Sequence, residues 1–242
     1  MRIKRRLAGR WQPRLKMAAL RLWQNWVKPI LVVVVVLGSL RSSVADWNDV
    51  PTGSMKPTIL EGDRIVVNKL AYDLKVPFAG WEIVRWGDPR RGDVVVCYSP
   101  EDGIRLVKRV IGLPGDRVEM RDNQLIINGE PAGYGPLAAD TVAQIDPAEQ
   151  VQHGFASERI DSRSHAIMTT PAVPARRHMA PVTVPQGHYL VLGDNRDLSR
   201  DSRWFGFVPR DQIAGRAFGI AISLNRNHSY LPRWHRFGHG LD

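Results

Sequence analysis

The segment Pro51-Thr52-Gly53-Ser54-Met55-Lys56-Pro57-Thr58 sets a serine between a glycine and a proline-containing turn. Constrained loops of this kind present an exposed hydroxyl and free backbone N–H groups, the ingredients of a nucleophile. It is not the Gly-x-Ser-x-Gly elbow, because Pro57 stands three residues after Ser54. Alone, a Gly-Ser turn favours a structural reading. The second stretch is Leu106-Val107-Lys108-Arg109-Val110-Ile111-Gly112. If it is a strand with Lys108 and Val110 on one face, Lys108 is expected on the apolar side and Arg109 in water. Burial disfavours the ammonium and lowers its pKa. Only the neutral amine can take a proton from a serine. A strand lysine reaching to solvent is the commoner case. The third stretch, Gly193-Asp194-Asn195-Arg196-Asp197-Leu198-Ser199-Arg200-Asp201-Ser202-Arg203, alternates acids and arginines and predicts a hydrogen-bonded turn network. The spacing and closing Glu of an EF-hand calcium loop are missing.

Other constellations are weaker. The run Asp161-Ser162-Arg163-Ser164-His165 has the residue types of a hydrolytic triad but no supporting context. His235 and His239 have i, i+4 metal-like spacing without a third ligand nearby. The single cysteine, Cys97, permits no intramolecular disulfide and no zinc cluster of cysteines. No metal and no cofactor are expected.

The elements that must position these residues read as strands. Short β-rich runs recur at Arg64–Val67, Asp93–Tyr98, Arg105–Ile111, Arg117–Met120, Leu125–Ile127, His188–Leu192 and Arg216–Ile222. Asp122-Asn123 and Asn128-Gly129 are tight-turn signals. Many short strands with Gly/Pro punctuation argue a mainly β, sandwich-like or barrel-like domain. Residues 132–185 are richer in Ala, Pro, His and Ser. They read as an insertion, a small β subdomain or an excursion with little regular structure. The predicted organisation is a basic tail (1–28), an anchor (29–47), a β domain in two parts (48–131 and 186–224), the insertion between them, and a C-terminal tail (225–242).

The formal charge of +10 suggests nucleic acid, but its distribution does not. Residues 1–28 hold nine basic residues (Arg2, Lys4, Arg5, Arg6, Arg10, Arg14, Lys16, Arg21, Lys28) and no acid. The remainder, with 25 basic and 24 acidic residues, has a net of +1. A basic tail before an apolar run is a positive-inside signal that also suits anionic lipid. The run Pro29–Leu40 would span about 18 Å as helix, short of a hydrocarbon core of about 30 Å. Flanking tryptophans extend it: Trp26 to Trp47 would span about 31 Å. The competing reading is a cleaved signal peptide, since Ser43-Val44-Ala45 is a small-x-small motif. Both readings carry the remainder across a membrane, and the motif is a candidate for self-cleavage.

Taken in order, the blocks Gly53-Ser54-Met55-x-Pro57-Thr58, Gly62-Asp63 with Asn68-Lys69-Leu70-Ala71-Tyr72, Arg91-Gly92-Asp93-Val94-Val95, Lys108–Asp116, and Gly193–Arg203 with Gly206-Phe207-Val208-Pro209 closely resemble bacterial signal peptidase I. The resemblance runs from about Ile30 to Phe218. It implies an all-β catalytic domain with an apolar face on the membrane, a β-rich insertion and one N-terminal transmembrane helix. It implies Ser54 as nucleophile and Lys108 as general base. Thr52 stands where the family places a hydroxyl that joins the Ser54 N–H in the oxyanion hole. Ser199 matches the residue that hydrogen-bonds and orients the lysine, and Asp201 and Arg203 match a supporting ion pair. Met55, Leu106 and Val107 are expected to line shallow pockets for small side chains at positions −1 and −3 of the substrate. The implied partners are preprotein signal peptides and the lipid bilayer, with no nucleic acid, for a monomer in the bacterial inner membrane whose N-terminus is cytoplasmic and catalytic domain periplasmic. Two departures stand out. The approach Ser42–Val50 is more polar than the family's usual aromatic and aliphatic one, and the insertion lacks the cysteines of a frequent cap disulfide. Two rivals remain open: a specialised Ser/Lys peptidase such as a conjugative-pilus maturation enzyme, and a catalytically silent membrane-tethered β domain.

Overall fold

The structure, a computed structural model, describes residues 17, 20–43, 45–76, 81–226 and 229–241. Most of the basic tail and Val44 of the small-x-small motif lie outside the described residues.

An α-helix spans Lys28–Ser43 and continues a wider π turn, Trp23–Val27. Pro29 explains the wide turn: it has no N–H for the carbonyl four residues back, and its ring crowds that carbonyl. The Lys28 N–H bonds the Trp23 carbonyl instead. Leu20–Gly38 is long and apolar enough to cross a membrane, with mean hydropathy 1.5, and none of it is buried against the protein. Val32–Val36 are all exposed, as expected of a helix whose covering is lipid. The anchor boundary expected at Trp47 is corrected. The helix ends at Ser43, and Trp47 lies on a strand, Ala45–Asp49, paired with Asp63–Asn68. Apolar length comes from Leu20, Leu22 and Trp23 on the N-terminal side instead.

Among the described residues the largest sheet has eight strands, all antiparallel. Its order is Ala45–Asp49, Asp63–Asn68, Ile213–Asn225, Val94–Tyr98, Arg105–Gly112, His188–Leu192 and Val208–Pro209, with Leu231–Pro232 added beside Ile213–Asn225. Val94–Cys97 is buried on both faces, which explains its unbroken apolar run. One core cluster packs Met55, Ile59, Ile65, Val67, Val94 and Val96 on one side. Another packs Val95, Cys97, Val110, Tyr189 and Val191 on the other.

A second sheet pairs Met179–Thr183, Arg117–Arg121, Gln124–Ile127 and Glu130–Pro131. Its hairpins turn at Asp122-Asn123, both with positive φ, and at Asn128-Gly129, likewise. These are the two-residue turns that Asn, Asp and Gly allow. The 132–185 stretch is regular rather than loosely ordered. It holds a three-stranded sheet, Gly133–Gly135, Gly154–Ile160 and Arg163–Thr169, and its last strand returns to pair with Arg117–Arg121. Periodicity fails there because the inward face carries charge: Glu158 is fully buried against Arg196. The C-terminal segment is no loose tail either. Leu241 is buried, and Arg236 forms a buried pair with Asp63 at 2.6 Å.

Candidate active site

Ser54 sits on the loop between Ala45–Asp49 and Asp63–Asn68. Backbone bonds between Val50 and Asp63 and between Gly62 and Val50 close that loop. Met55 and Ile59, both fully buried, pin it to the core. The turn at Gly193–Asn195 clamps it from the other side. The Asn195 N–H donates to the Ser54 carbonyl at 3.1 Å, and Asn195 Nδ2 donates to the Gly53 carbonyl at 3.1 Å. Gly193 is required at this approach. A Cβ there would lie 2.5 Å from the Ser54 carbonyl oxygen and 2.2 Å from Ser199 Oγ.

Lys108 reaches Ser54 from the strand Arg105–Gly112, which lies next to Val94–Tyr98 in the sheet. Its Nζ is 2.7 Å from Ser54 Oγ and 3.0 Å from the Val107 carbonyl. Lys108 is 2% exposed. Burial pushes its pKa below the ordinary lysine value, and the nearby Asp201 carboxylate, the largest counterweight, only partly offsets this. Nζ is placed to donate to both oxygens; once deprotonated, the amine keeps an N–H for Val107 and offers its lone pair to the Ser54 hydroxyl proton.

Arg109 does not face water. It is as buried as Lys108 because both faces of this sheet are covered. Its charge is met by a two-pronged pair with Asp194, at 2.9 and 2.7 Å, and by the Gly92 carbonyl. Burial alone would raise the Asp194 pKa, but the Arg109 charge and hydrogen bonds, with one from Thr58 Oγ1 at 2.6 Å, hold it low. The hydrophobic pattern could not reveal this pair. The acids of the 193–203 block, which need cations, were the available signal.

The remaining expected site residues fall as follows. Asp201 and Arg203 form a two-pronged buried pair at 2.7 and 2.8 Å. Asp201 also accepts the Gly193 N–H at 3.0 Å, and Arg203 donates to the Arg196 carbonyl. Ser199 is buried beside Gly193 and Ser54, but its hydroxyl makes no hydrogen bond, to Lys108 or to any other described group. The expected Ser199–Lys108 bond is therefore not formed. Thr52, Ser54, Leu106, Val107 and Lys108 border a cleft of about 250 Å³. Thr52 is exposed at its rim, whereas Met55 borders the cleft while itself fully buried in the core. Asn48 lines the same cleft and escaped the reading of the sequence.

The weaker constellations separate. Asp161 pairs with Arg91, while His165 lies 3.1 Å from Glu158. Among the described residues no group of three or more His, Cys, Asp or Glu could hold a metal ion. Cys97 is buried, and burial pushes its thiol up to about 12, far from reactive thiolate character.

A serine hydroxyl against a buried lysine whose pKa burial lowers, at the edge of an open cleft, is equipped for nucleophilic attack on a carbonyl. Comparison with known proteins points the same way. The profile of the family described as signal peptidase, peptidase S26, matches residues 23–222. Signal peptidase I of Pseudomonas aeruginosa is 36% identical over 226 residues, covering 87% of this chain and 75% of that protein. Signal peptidase I of Pseudomonas fluorescens is 37% identical over 223 residues, with the same coverage. Signal peptidase I of Bacillus licheniformis is 33% identical over 204 residues, covering 83% of this chain and 89% of that protein. By the extent of that match and the identity of these relatives, the chain belongs to the peptidase S26 family of signal peptidases, serine proteases by class.

Proposed function

We propose that the protein removes N-terminal signal peptides from exported preproteins through a Ser54/Lys108 dyad, cleaving after small residues. The observation that carries this reading is the 2.7 Å approach of Ser54 Oγ to a buried lysine nitrogen, whose pKa burial lowers. Lys108 takes the Ser54 proton as Oγ attacks the carbonyl of the −1 residue. The Ser54 N–H and the Thr52 hydroxyl stabilise the oxyanion. As the intermediate collapses, the C–N bond breaks and protonated Lys108 gives its proton to the leaving amine. Neutral Lys108 then activates a water that hydrolyses the acyl-Ser54 ester. Asp201 and Arg203 act by holding Gly193, and so the loop that carries Ser54. Leu106 and Val107 border the pocket for small side chains.

The basic N-terminus and the apolar helix support a single-pass protein of the bacterial inner membrane, with the catalytic domain periplasmic. Retention of the anchor is supported by the pairing of Ala45 and Asp46 with Asn68 and Val67. A peptide bond inside a paired strand is not free to lie extended in the cleft of its own chain. The partners are signal peptides and the bilayer, and the protein acts as a monomer.

A fluorogenic signal-peptide assay tests the dyad. Ser54→Ala and Lys108→Met should each lower kcat/KM by at least about a thousandfold. Near-normal turnover by purified Lys108→Met would overturn the assignment.

A further inference from the structure

The insertion touches the serine loop through a single ion pair. Glu149 lies on the short helix Pro147–Gln150, and its carboxylate accepts from Lys56 Nζ at 2.8 Å, across 93 residues of sequence. Asp146 caps that helix by accepting the Ala148 N–H at 2.9 Å, and the buried Ile145 seats its start. Glu61, on the serine loop itself, stands 3.1 Å from the same nitrogen. Burial alone would lower the Lys56 pKa, but the bonds to Glu149 and Glu61 raise it above the ordinary value, the reverse of the shift at Lys108. Lys56 is therefore an ammonium at neutral pH. Its stem folds back over Gly53: a Cβ on Gly53 would lie 3.1 Å from Lys56 Cε and 3.2 Å from Cδ. The Lys56 N–H donates to the Gly53 carbonyl at 3.1 Å, and Asn195 Nδ2 holds the same oxygen. In a planar trans peptide the C=O and N–H point in opposite directions. What fixes the Gly53 carbonyl therefore also aims the Ser54 N–H.

We propose that Glu149 is a positioning residue for the reaction: it holds Lys56, and Lys56 holds the Gly53–Ser54 peptide whose N–H meets the substrate oxyanion. This rests on the reading of Ser54 as the nucleophile of a signal peptidase. Glu61 cannot take the same part, because it belongs to the loop that has to be held. Glu149 can, because the insertion is joined to the clamp on the other side of that loop. The Met168 N–H donates to the Asp194 carbonyl at 2.9 Å, and the Arg196 N–H donates to the Met168 carbonyl at 2.8 Å. Arg196 also pairs with the buried Glu158 of the insertion. Asn195 and Glu149 thus grip the serine loop from one connected body. The Lys56 side chain is 12% exposed and that of Glu149 33%. A pair so open to water adds little to stability. A hydrogen-bond donor that drifts from the oxyanion, however, loses part of what it gives the transition state. The pair is read in rate rather than in folding.

The test uses the full-length protein in detergent micelles, a fluorogenic signal peptide, and the variants Glu149→Ala, Glu149→Gln, Lys56→Met and the double variant Lys56→Met/Glu149→Ala. Glu149→Ala and Lys56→Met should each lower kcat about 3- to 10-fold. KM should stay within about twofold, the mark of an interaction that matters only in the transition state. Melting temperatures should change by no more than about 3 °C. The double variant should be no slower than the worse single one, because both remove the same link. Glu149→Gln keeps the shape and loses the charge, and should lose kcat in the same direction. Native kcat in Glu149→Ala overturns the inference alone. So do losses that multiply in the double variant, since Lys56 then acts without Glu149, and so does a raised KM with kcat kept. A loss in Glu149→Ala that comes with a much lowered melting temperature and is absent in Glu149→Gln marks a purely structural Glu149 and overturns it as well. No cleavage by the native protein overturns the inference together with the function on which it rests.

Discussion

Lys108 carries two opposed demands. Its nitrogen must be buried to become a base, and burial of an ionisable amine opposes folding. The unfolded chain keeps its proton to higher pH than the folded chain, so the penalty is complete below the depressed folded value and fades as pH rises toward the ordinary 10.5. Lys108→Met should therefore stabilise the protein at neutral pH by about 1–2 kcal/mol while abolishing cleavage. The gain should be largest at low pH and vanish near the ordinary lysine value. Denaturation midpoints across a pH series check this, and a gain that grew with pH would refute it. Cleavage by the native protein has the same origin and sign: kcat/KM should rise with pH through the lowered Lys108 value, since only the neutral amine accepts the serine proton. Arg109, one residue on, resolves burial the other way. It stays charged and keeps Asp194 beside it.

A strand supplies Lys108, but two loops fix the position of Ser54. The Ser54 loop is closed on itself by Val50 and Gly62 and nailed down by Met55 and Ile59. The Gly193–Asn195 turn holds the Ser54 and Gly53 carbonyls, and Asp201 in turn holds the Gly193 N–H. Gly193→Ala brings a Cβ within 2.5 Å of the Ser54 carbonyl oxygen. The turn must withdraw, and Ser54 shifts with it. A misplacement on the order of 1 Å is worth about a hundredfold in rate. Gly193→Ala should thus lose about that much kcat, measured by peptide cleavage, while circular dichroism keeps the native β signal. Full activity would show that the turn does not set the position of Ser54.

At the scale of the molecule, the segment beyond the family match closes the architecture. Arg236 reaches back to Asp63 at the start of the strand after the serine loop, and to the Thr58 carbonyl within that loop. Thr58 passes the link to Asp194, and Asp194 to Arg109 beside the base. Arg236→Met leaves the fully buried Asp63 carboxylate with the Leu60 N–H at 2.8 Å and the more distant Arg233 at 3.9 Å, and should cost up to about 3–5 kcal/mol, read as a lowered unfolding midpoint. Unchanged stability would show that Asp63 finds another partner. The sequence by itself determined the mainly β class, the membrane segment and the ordered blocks holding Ser54 and Lys108. Alternating side chains, Asn-Gly and Asp-Asn turns, and a run such as Pro29–Leu40 are local signals. Only the tertiary structure decided that Arg109 is buried, that Ser199 does not bond Lys108, that Trp47 leaves the helix for a strand, and that Asn48 faces the cleft. Each depends on what a distant segment brings to cover a face or offer a partner. An arginine reads as exposed until Asp194, 85 residues away, neutralises it, and Asn48 reads only as part of a polar approach until Leu106 and Val107 are brought to border the same cleft. The opposed charges and paired edges that settle such questions exist only once the chain is closed.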